Sequence, residues 1–274
     1  MNLSQSLQSA SLTDPGRVRD HNEDCIESRP EIGLYVLADG MGGYNAGEVA
    51  SGMATALIAD GVQGEWNLRE VDKLDRDAAK KKAETTLAEH IARANLAIFN
   101  TSQNNPECAG MGTTLVVCLF YDDFLAVAHI GDSRLYRLRG EQMEQVTRDH
   151  SLLQEQLDSG LITPAEAKLS QNKNLVTRAL GIDPTVEPEI HVYETRLDDI
   201  FMLCSDGLSD MVEDEEIRLT MLTLKTNPDL TVQQLVQAAN DNGGRDNISA
   251  LLIRVAEPYG IARGWLARLK ALFR

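Results

Sequence analysis

Apolar and polar positions follow two different periods along this chain, one that reads as strand and one that reads as helix. The run Leu34-Tyr35-Val36-Leu37-Ala38 is continuously apolar and stops abruptly at Asp39-Gly40-Met41-Gly42-Gly43. It predicts a buried strand that delivers an aspartate at its end. Across residues 46–58, Val49, Ala50, Met53, Ala54, Leu57 and Ile58 recur at helical spacing, which predicts a helix packed on the sheet. Residues 63–82 are polar and charged and predict a connector to a second helix over about 83–100, with Leu87, Ile91, Ala94 and Ile98 on one face. Residues 113–121, 124–130 and 134–139 are β-rich, separated by the turn signals Asp122-Asp123 and Gly131-Asp132-Ser133. Residues 151–168 read as helix with the cap-like pair Thr163-Pro164. Strand character returns at 190–194 and 199–204, helices follow near 213–224 and 231–240, and 248–255 closes as a strand. Strand runs mixed with paired helices predict an α+β layered sandwich rather than a strictly alternating βαβ fold.

A chain of 274 residues can bury roughly three-quarters of its unfolded surface in one core. No internal repeat or low-complexity linker divides it. With 43% hydrophobic and 25% charged residues, 20 Gly and 8 Pro, it falls outside the disordered, collagenous and membrane classes. A net charge of −16 excludes a general nucleic-acid binder, which needs a basic surface, and suits a protein that gathers carboxylates around divalent cations. Cys25, Cys108, Cys118 and Cys204 form no zinc or disulfide spacing and read as buried thiols in a reducing compartment. The opening MNLSQSLQSASLTD has neither a basic nor an apolar stretch, and no run approaches the ~20 apolar residues of a membrane span. The expected location is cytoplasmic.

The candidate chemistry lies in where the aspartates fall. Asp39, Asp132, Asp206 and Asp246 each stand where a predicted strand ends or begins. Taken singly, each is accounted for as a turn or cap residue, because Asp-Gly and its relatives are common turn sequences. Brought together at the strand ends of one sandwich, they would repel one another unless cations neutralised them. An all-oxygen ligand set selects Mg²⁺ or Mn²⁺ over softer metals.

The wording around these residues adds a resemblance. Arg19-Asp20-His21-Asn22-Glu23-Asp24, Ala38-Asp39-Gly40-Met41-Gly42-Gly43, Gly110-Met111-Gly112-Thr113-Thr114, Gly131-Asp132-Ser133-Arg134, Ser205-Asp206-Gly207-Leu208 and Arg245-Asp246-Asn247 stand in this order. Together they closely resemble the motifs of the type-2C metal-dependent serine/threonine protein phosphatases, the PPM family, over about residues 9–255. The bacterial branch is the nearer match, with Met41 where many eukaryotic members carry histidine and Thr147-Arg148-Asp149-His150-Ser151 leading into the next helical stretch. The resemblance implies a four-layer α/β/β/α sandwich over residues 1–258 with a small flap at about 149–181. It implies two Mn²⁺ or Mg²⁺ ions, Asp39 bridging them and Asp206 and Asp246 completing one. The Gly40 carbonyl, with Glu23 or Asp24 directly or through water, would serve the other. Asp132, helped by Asp206 and Asp210, matches a third, weaker metal position. Arg19 matches the phosphate-binding guanidinium, whose planar fork suits bidentate contact.

The implied reaction is direct attack of a metal-bridging water or hydroxide on phosphoserine or phosphothreonine, without a covalent phosphoenzyme. For protonation of the leaving alkoxide, the candidates are a metal-ordered water, His21 and His150. The implied partners are phosphorylated proteins, including a bacterial Ser/Thr kinase and its substrates, met by a monomer. The alternative is a catalytically silent phosphoprotein-binding or kinase-scaffold relative, against which the retained Asp39, Asp206 and Asp246 weigh. Gly112-Thr113-Thr114 is expected to supply tight backbone packing near the metals. Leu153, Leu157, Leu161 and Ile162 of the flap are open to substrate contact or to ordinary packing.

Residues 259–274 carry Arg263, Arg268, Lys270 and Arg274 and no acid. On a helix, Ile261, Trp265, Leu269 and Leu272 would share one face. Three readings fit: packing on the acidic domain, an in-plane anchor at the inner membrane face, or docking to a partner protein.

Overall fold

A computed structural model describes residues 2–43, 46–168, 170 and 175–261. Two antiparallel sheets face each other with helices on both outer sides, the expected α+β sandwich. The first sheet runs in the order β1 (Leu7–Asp14), β11 (Ile248–Val255), β10 (Ile200–Cys204), β7 (Arg134–Arg139), β8 (Gln142–Gln145). The second runs β2 (Asp24–Arg29), β3 (Leu34–Met41), β5 (Leu115–Tyr121), β6 (Phe124–Ile130), β9 (Glu189–Glu194), with the short β4 (Gly112–Thr113) also on β3. Helices α1 (Ala46–Glu65), α2 (Leu68–Val71) and α3 (Arg76–Asn104) belong to the side of the second sheet. Helices α7 (Asp214–Thr223) and α8 (Pro228–Asp241) lie on the first. Between them come α4 (Leu152–Asp158), α5 (Pro164–Lys168) and the single turn α6 (Asp206–Ser209).

The strand sequences explain the layering. Every residue of β5 (LVVCLFY) and β6 (FLAVAHI) is buried, as a strand covered on both faces requires. Their hairpin closes through Asp122 and Asp123, with φ of 47° and 58°, the doubly left-handed turn whose twist matches two antiparallel strands. In β10 and β11 the two-residue period sorts side chains cleanly. Phe201, Leu203, Leu251 and Ile253 enter the core between the sheets, whereas Ile200, Met202, Cys204, Ile248, Ala250 and Leu252 pack beneath α7 and α8. Phe120 ties the sheets together, meeting Tyr35, Phe201 and Tyr259 edge-on at ring distances of 5.8, 5.5 and 6.3 Å.

Several elements differ from the sequence reading. Strands β1, β2 and β8 were not expected, because they are half-exposed and mix polar with apolar residues. The supposed connector over 63–82 contains the last turn of α1, all of α2 and the first turns of α3, whose polar residues face solvent. The continuous helix expected over 151–168 is two short ones. It breaks at Ser159 and Gly160 (φ +70°), and α5 restarts on a box in which Thr163 Oγ1 accepts the Glu166 N–H while the Glu166 carboxylate accepts the Thr163 N–H.

At the carboxyl end Tyr259 is buried, its hydroxyl bonded to Thr195 Oγ1 at 2.6 Å and to the Phe124 carbonyl at 3.2 Å. Asp123 and Asp122 accept the N–H groups of Tyr259 and Ile261. The basic tail beyond Ile261 lies outside the described residues.

Candidate active site

The aspartates converge because chain connections from both sheets meet at one end of the sandwich. Asp39 sits near the end of β3, and Asp24 opens β2 directly opposite it in the strand register. Asp132 occupies the turn by which the chain leaves β6 in one sheet for β7 in the other. Asp206 opens α6 immediately after β10, and Asp246 lies in the connection from α8 to β11. Two close backbone approaches make this convergence possible. A Cβ on Gly40 would stand 2.1 Å from the Gly47 carbonyl oxygen, and one on Gly207 would stand 2.0 Å from the Asn247 carbonyl oxygen. Only glycine lets α1 close on β3 and α6 close on the Asp246 loop.

A cleft of about 230 Å³ results, lined by Arg19, Glu23, Asp39, Gly40, Met41, Gly42, Thr114, Asp132, Val176, Asp206 and Asp246. Of the residues picked from sequence, Arg19, Glu23, Asp39, Gly40, Asp132, Asp206 and Asp246 therefore share one cavity. Asp24 stands behind them, buried, its Oδ2 accepting the Ser205 hydroxyl at 2.7 Å. Asp210 is exposed and lines an adjoining groove of about 460 Å³, which shares Asp132 and Asp206 with the cleft. Leu153 and Leu157 line that groove, while Leu161 is exposed to solvent. His21 and His150 line neither.

The electrostatics are those of crowded carboxylates. Burial, followed by repulsion from Asp24, Asp206, Asp132 and Asp246, raises Asp39 well above the usual carboxylate range. Burial and then Asp132, Asp246, Asp210 and Asp24 do the same to Asp206. Burial lifts Asp24 to about 6 against the hydrogen bond from Ser205, and lifts Asp132 to about 6, with Asp149 adding and Arg134 opposing. Glu23 is also raised by burial, with Arg19 pulling the other way. Among the described residues that line the cleft the only basic side chain is Arg19, held by a 2.8 Å bond from its guanidinium to Asp246 Oδ2. Among the described residues the buried Asp24 Oδ1 finds no hydrogen-bond partner. These oxygens, crowded, hard and short of cations, fit Mg²⁺ or Mn²⁺.

A second set of residues holds the carboxylates in place, and of these the sequence reading gave a role only to Thr113 and Thr114. Asn247 accepts the Glu23 N–H at 2.8 Å and donates to the carbonyls of His21 (2.8 Å) and Pro15 (3.1 Å), stapling the Arg19 loop to the Asp246 loop. Ser205 bridges from Asp24 to the Ser249 N–H. Thr113 and Thr114 both donate to the Asp39 carbonyl, and Thr114 Oγ1 accepts the Asp39 N–H and pairs with Ser133 at 2.7 Å. Thr113 and Thr114 thus supply the backbone packing expected of them. The available signal was adjacency, since Ser205, Ser133 and Asn247 each stand next to a site aspartate.

Residues 18–252 match the Protein phosphatase 2C family. The chain is 38% identical over 247 residues to the serine/threonine phosphatase stp of Listeria innocua, covering 88% of this chain and 93% of that protein. Its fold is similar to the crystal structure of the serine/threonine phosphatase PstP of Mycobacterium tuberculosis, with TM-score 0.80 and 35% identity, covering 92% of this chain and 99% of that one. A structure of the PstP catalytic domain in complex with two manganese ions aligns with TM-score 0.77 and 36% identity over 92% of this chain and 99% of that one.

Proposed function

Because the chain belongs to the protein phosphatase 2C family, we propose that its carboxylate cleft hydrolyses phosphoserine and phosphothreonine on proteins, with Mn²⁺ or Mg²⁺ as the cofactor. The observation that carries this reading is the convergence of Asp39, Asp132, Asp206 and Asp246 in one cavity in which Arg19 is the only basic side chain among the described lining residues. Asp39, Asp206 and Asp246 would hold the ions, with the Gly40 carbonyl and Glu23 on the side of α1 and Asp24 behind. Asp132, Asp206 and Asp210 would hold a further, weaker one. Bound divalent ions neutralise these carboxylates, activate water and offset charge on the phosphoryl oxygens.

The protein's own groups do the rest. Arg19 is half-exposed at the cleft and spends one nitrogen on Asp246, leaving its other donors for the phosphoryl oxygens. That grip fixes the phosphorus for in-line attack by water, which breaks the bond to the Ser or Thr oxygen and releases inorganic phosphate. Among the described residues no cysteine lines the cleft, and Thr114 is committed to Asp39 and Ser133, which supports direct hydrolysis over a cysteinyl or threonyl phosphoenzyme. His150 is turned to Gly131 and Glu189, and neither it nor His21 lines the cleft, so solvent is the better proton source. The physiological role is reversal of a Ser/Thr kinase, and the basic tail serves one of three ends, packing on the acidic domain, docking to a membrane surface or docking to a partner protein. Among the described residues no helix is long and apolar enough to cross a membrane.

The test is hydrolysis of a phosphothreonine peptide with EDTA, Mg²⁺ or Mn²⁺, beside Asp39→Asn and Asp246→Asn. Turnover that needs metal and collapses in both variants is expected. Phosphopeptide binding without turnover under any metal would favour the silent scaffold.

A further inference from the structure

Behind the cleft, His129, His150 and Glu189 bring three ligand-type atoms within 4.8 Å of one another, and His191 approaches Glu189 Oε1 at 2.7 Å. The donor set invites a zinc reading, but the hydrogen bonds give the imidazoles other work. His129 Nε2 donates to the Arg148 carbonyl at 2.9 Å. His150 Nδ1 accepts the Gly131 N–H at 3.2 Å, so the ring proton sits on Nε2, which faces Glu189 Oε2 at 3.4 Å. The two rings stack at 4.7 Å. Burial lowers the pKa of both, which keeps the acceptor nitrogen of His150 free of a proton.

His150 grips Gly131 from both sides. Its backbone N–H donates to the Gly131 carbonyl at 2.9 Å while its ring accepts the Gly131 N–H. Gly131 has φ +98°, and a Cβ there would lie 2.7 Å from the Thr114 side chain, so the turn must stay glycine and must be stiffened from outside. The His150 carbonyl in turn accepts the Thr177 N–H at 2.8 Å, and Ser151 pairs with Val176, which lines the cleft. One residue thus joins the turn that carries Asp132 to the segment that forms the cleft's rim.

We propose that His150, oriented by Glu189, is a positioning residue of the phosphatase centre, fixing the direction in which Asp132 enters the cleft. This rests on the reading of Asp132 as a metal-holding carboxylate. Residues that orient metal ligands from behind cost ~10–100-fold in metal affinity when lost.

The experiment compares His150→Asn with His150→Gln. Asparagine keeps an acceptor at the position of Nδ1 for Gly131, while glutamine reaches toward Glu189 but leaves the Gly131 N–H unpaired. The readouts are the Mn²⁺ concentration for half-maximal turnover of a phosphothreonine peptide and the melting temperature in EDTA. His150→Gln should raise that concentration by ~10-fold or more, and His150→Asn should stay within about threefold of the parent, with similar melting of both variants. Equal behaviour of the two variants, or loss that simply tracks melting, would overturn the proposal. If His150→Gln does not fold, Glu189→Ala, which removes the acceptor facing His150 Nε2, takes its place, and an unchanged Mn²⁺ requirement there also overturns it. Asp132→Asn separates the two levels. No change in its Mn²⁺ requirement defeats the reading of Asp132 itself, whereas a shift there with none in His150→Gln defeats only the positioning role.

Discussion

Chelating divalent cations should make the fold lose stability as pH rises, and adding Mn²⁺ should remove that loss. In the folded chain Asp24 and Asp132 are raised from 3.8 to about 6, and Asp39 and Asp206 go well above their ordinary value, burial being the first cause in each. A carboxyl raised by folding favours the fold while protonated. Its contribution is complete below the unfolded value and disappears as pH climbs through the folded one. With ~1.4 kcal/mol per pKa unit, Asp24 alone withdraws on the order of 1 kcal/mol between pH 5 and pH 7.5, and Asp132 about as much again. Urea unfolding at both pH values, in EDTA and in excess Mn²⁺, measures it. The buried His129 and His150, lowered by burial, oppose the trend on acidification but do so with and without cation, so the Mn²⁺-induced stabilisation isolates the carboxylates. That stabilisation should be larger at pH 7.5 than at pH 5 by about 2 kcal/mol, and Asp24→Asn should shrink the difference. A Mn²⁺ effect equal at both pH values, or larger at pH 5, refutes the reasoning.

Asp39→Asn should raise the melting temperature of the EDTA-treated protein by relieving a buried charge, while turnover in Mn²⁺ falls by ~10³-fold or more; a variant that is both active and less stable would contradict this. Asn247→Ala removes one acceptor and two donor contacts, and urea unfolding should show a loss of ~2–4 kcal/mol, with faster proteolysis in the Arg19 loop as an independent sign. Arg19→Lys should leave stability within ~1 kcal/mol, since its bond to Asp246 is half-exposed, yet lower kcat/KM for a phosphopeptide by ~10–100-fold through loss of the planar fork. Gly40→Ala should fail to assemble the cleft, read as lost Mn²⁺-induced stabilisation, because its Cβ would overlap the Gly47 carbonyl.

The strands β5, β6 and β10 were legible in the sequence because burial along their whole length leaves almost only apolar residues, and β7 and β11 also fall where the pattern put them. The ordered motifs also name residues that meet, for Arg19, Glu23, Asp39, Gly40, Asp132, Asp206 and Asp246 line one cleft, with Asp24 behind it and Asp210 in the adjoining groove. Tertiary structure decided the rest. The edge strands β1 and β2 draw their order from partners far along the chain, β1 from β11 and β2 from β3, so their own alternation is weak. The same distance hid the partners of Ser205, Asn247 and His150, which hydrogen-bond to Asp24, Glu23 and Gly131. A one-dimensional pattern records which residues avoid water; which carboxylates lie side by side, and so which ones burial and repulsion force to seek a cation, is set only when the two sheets close.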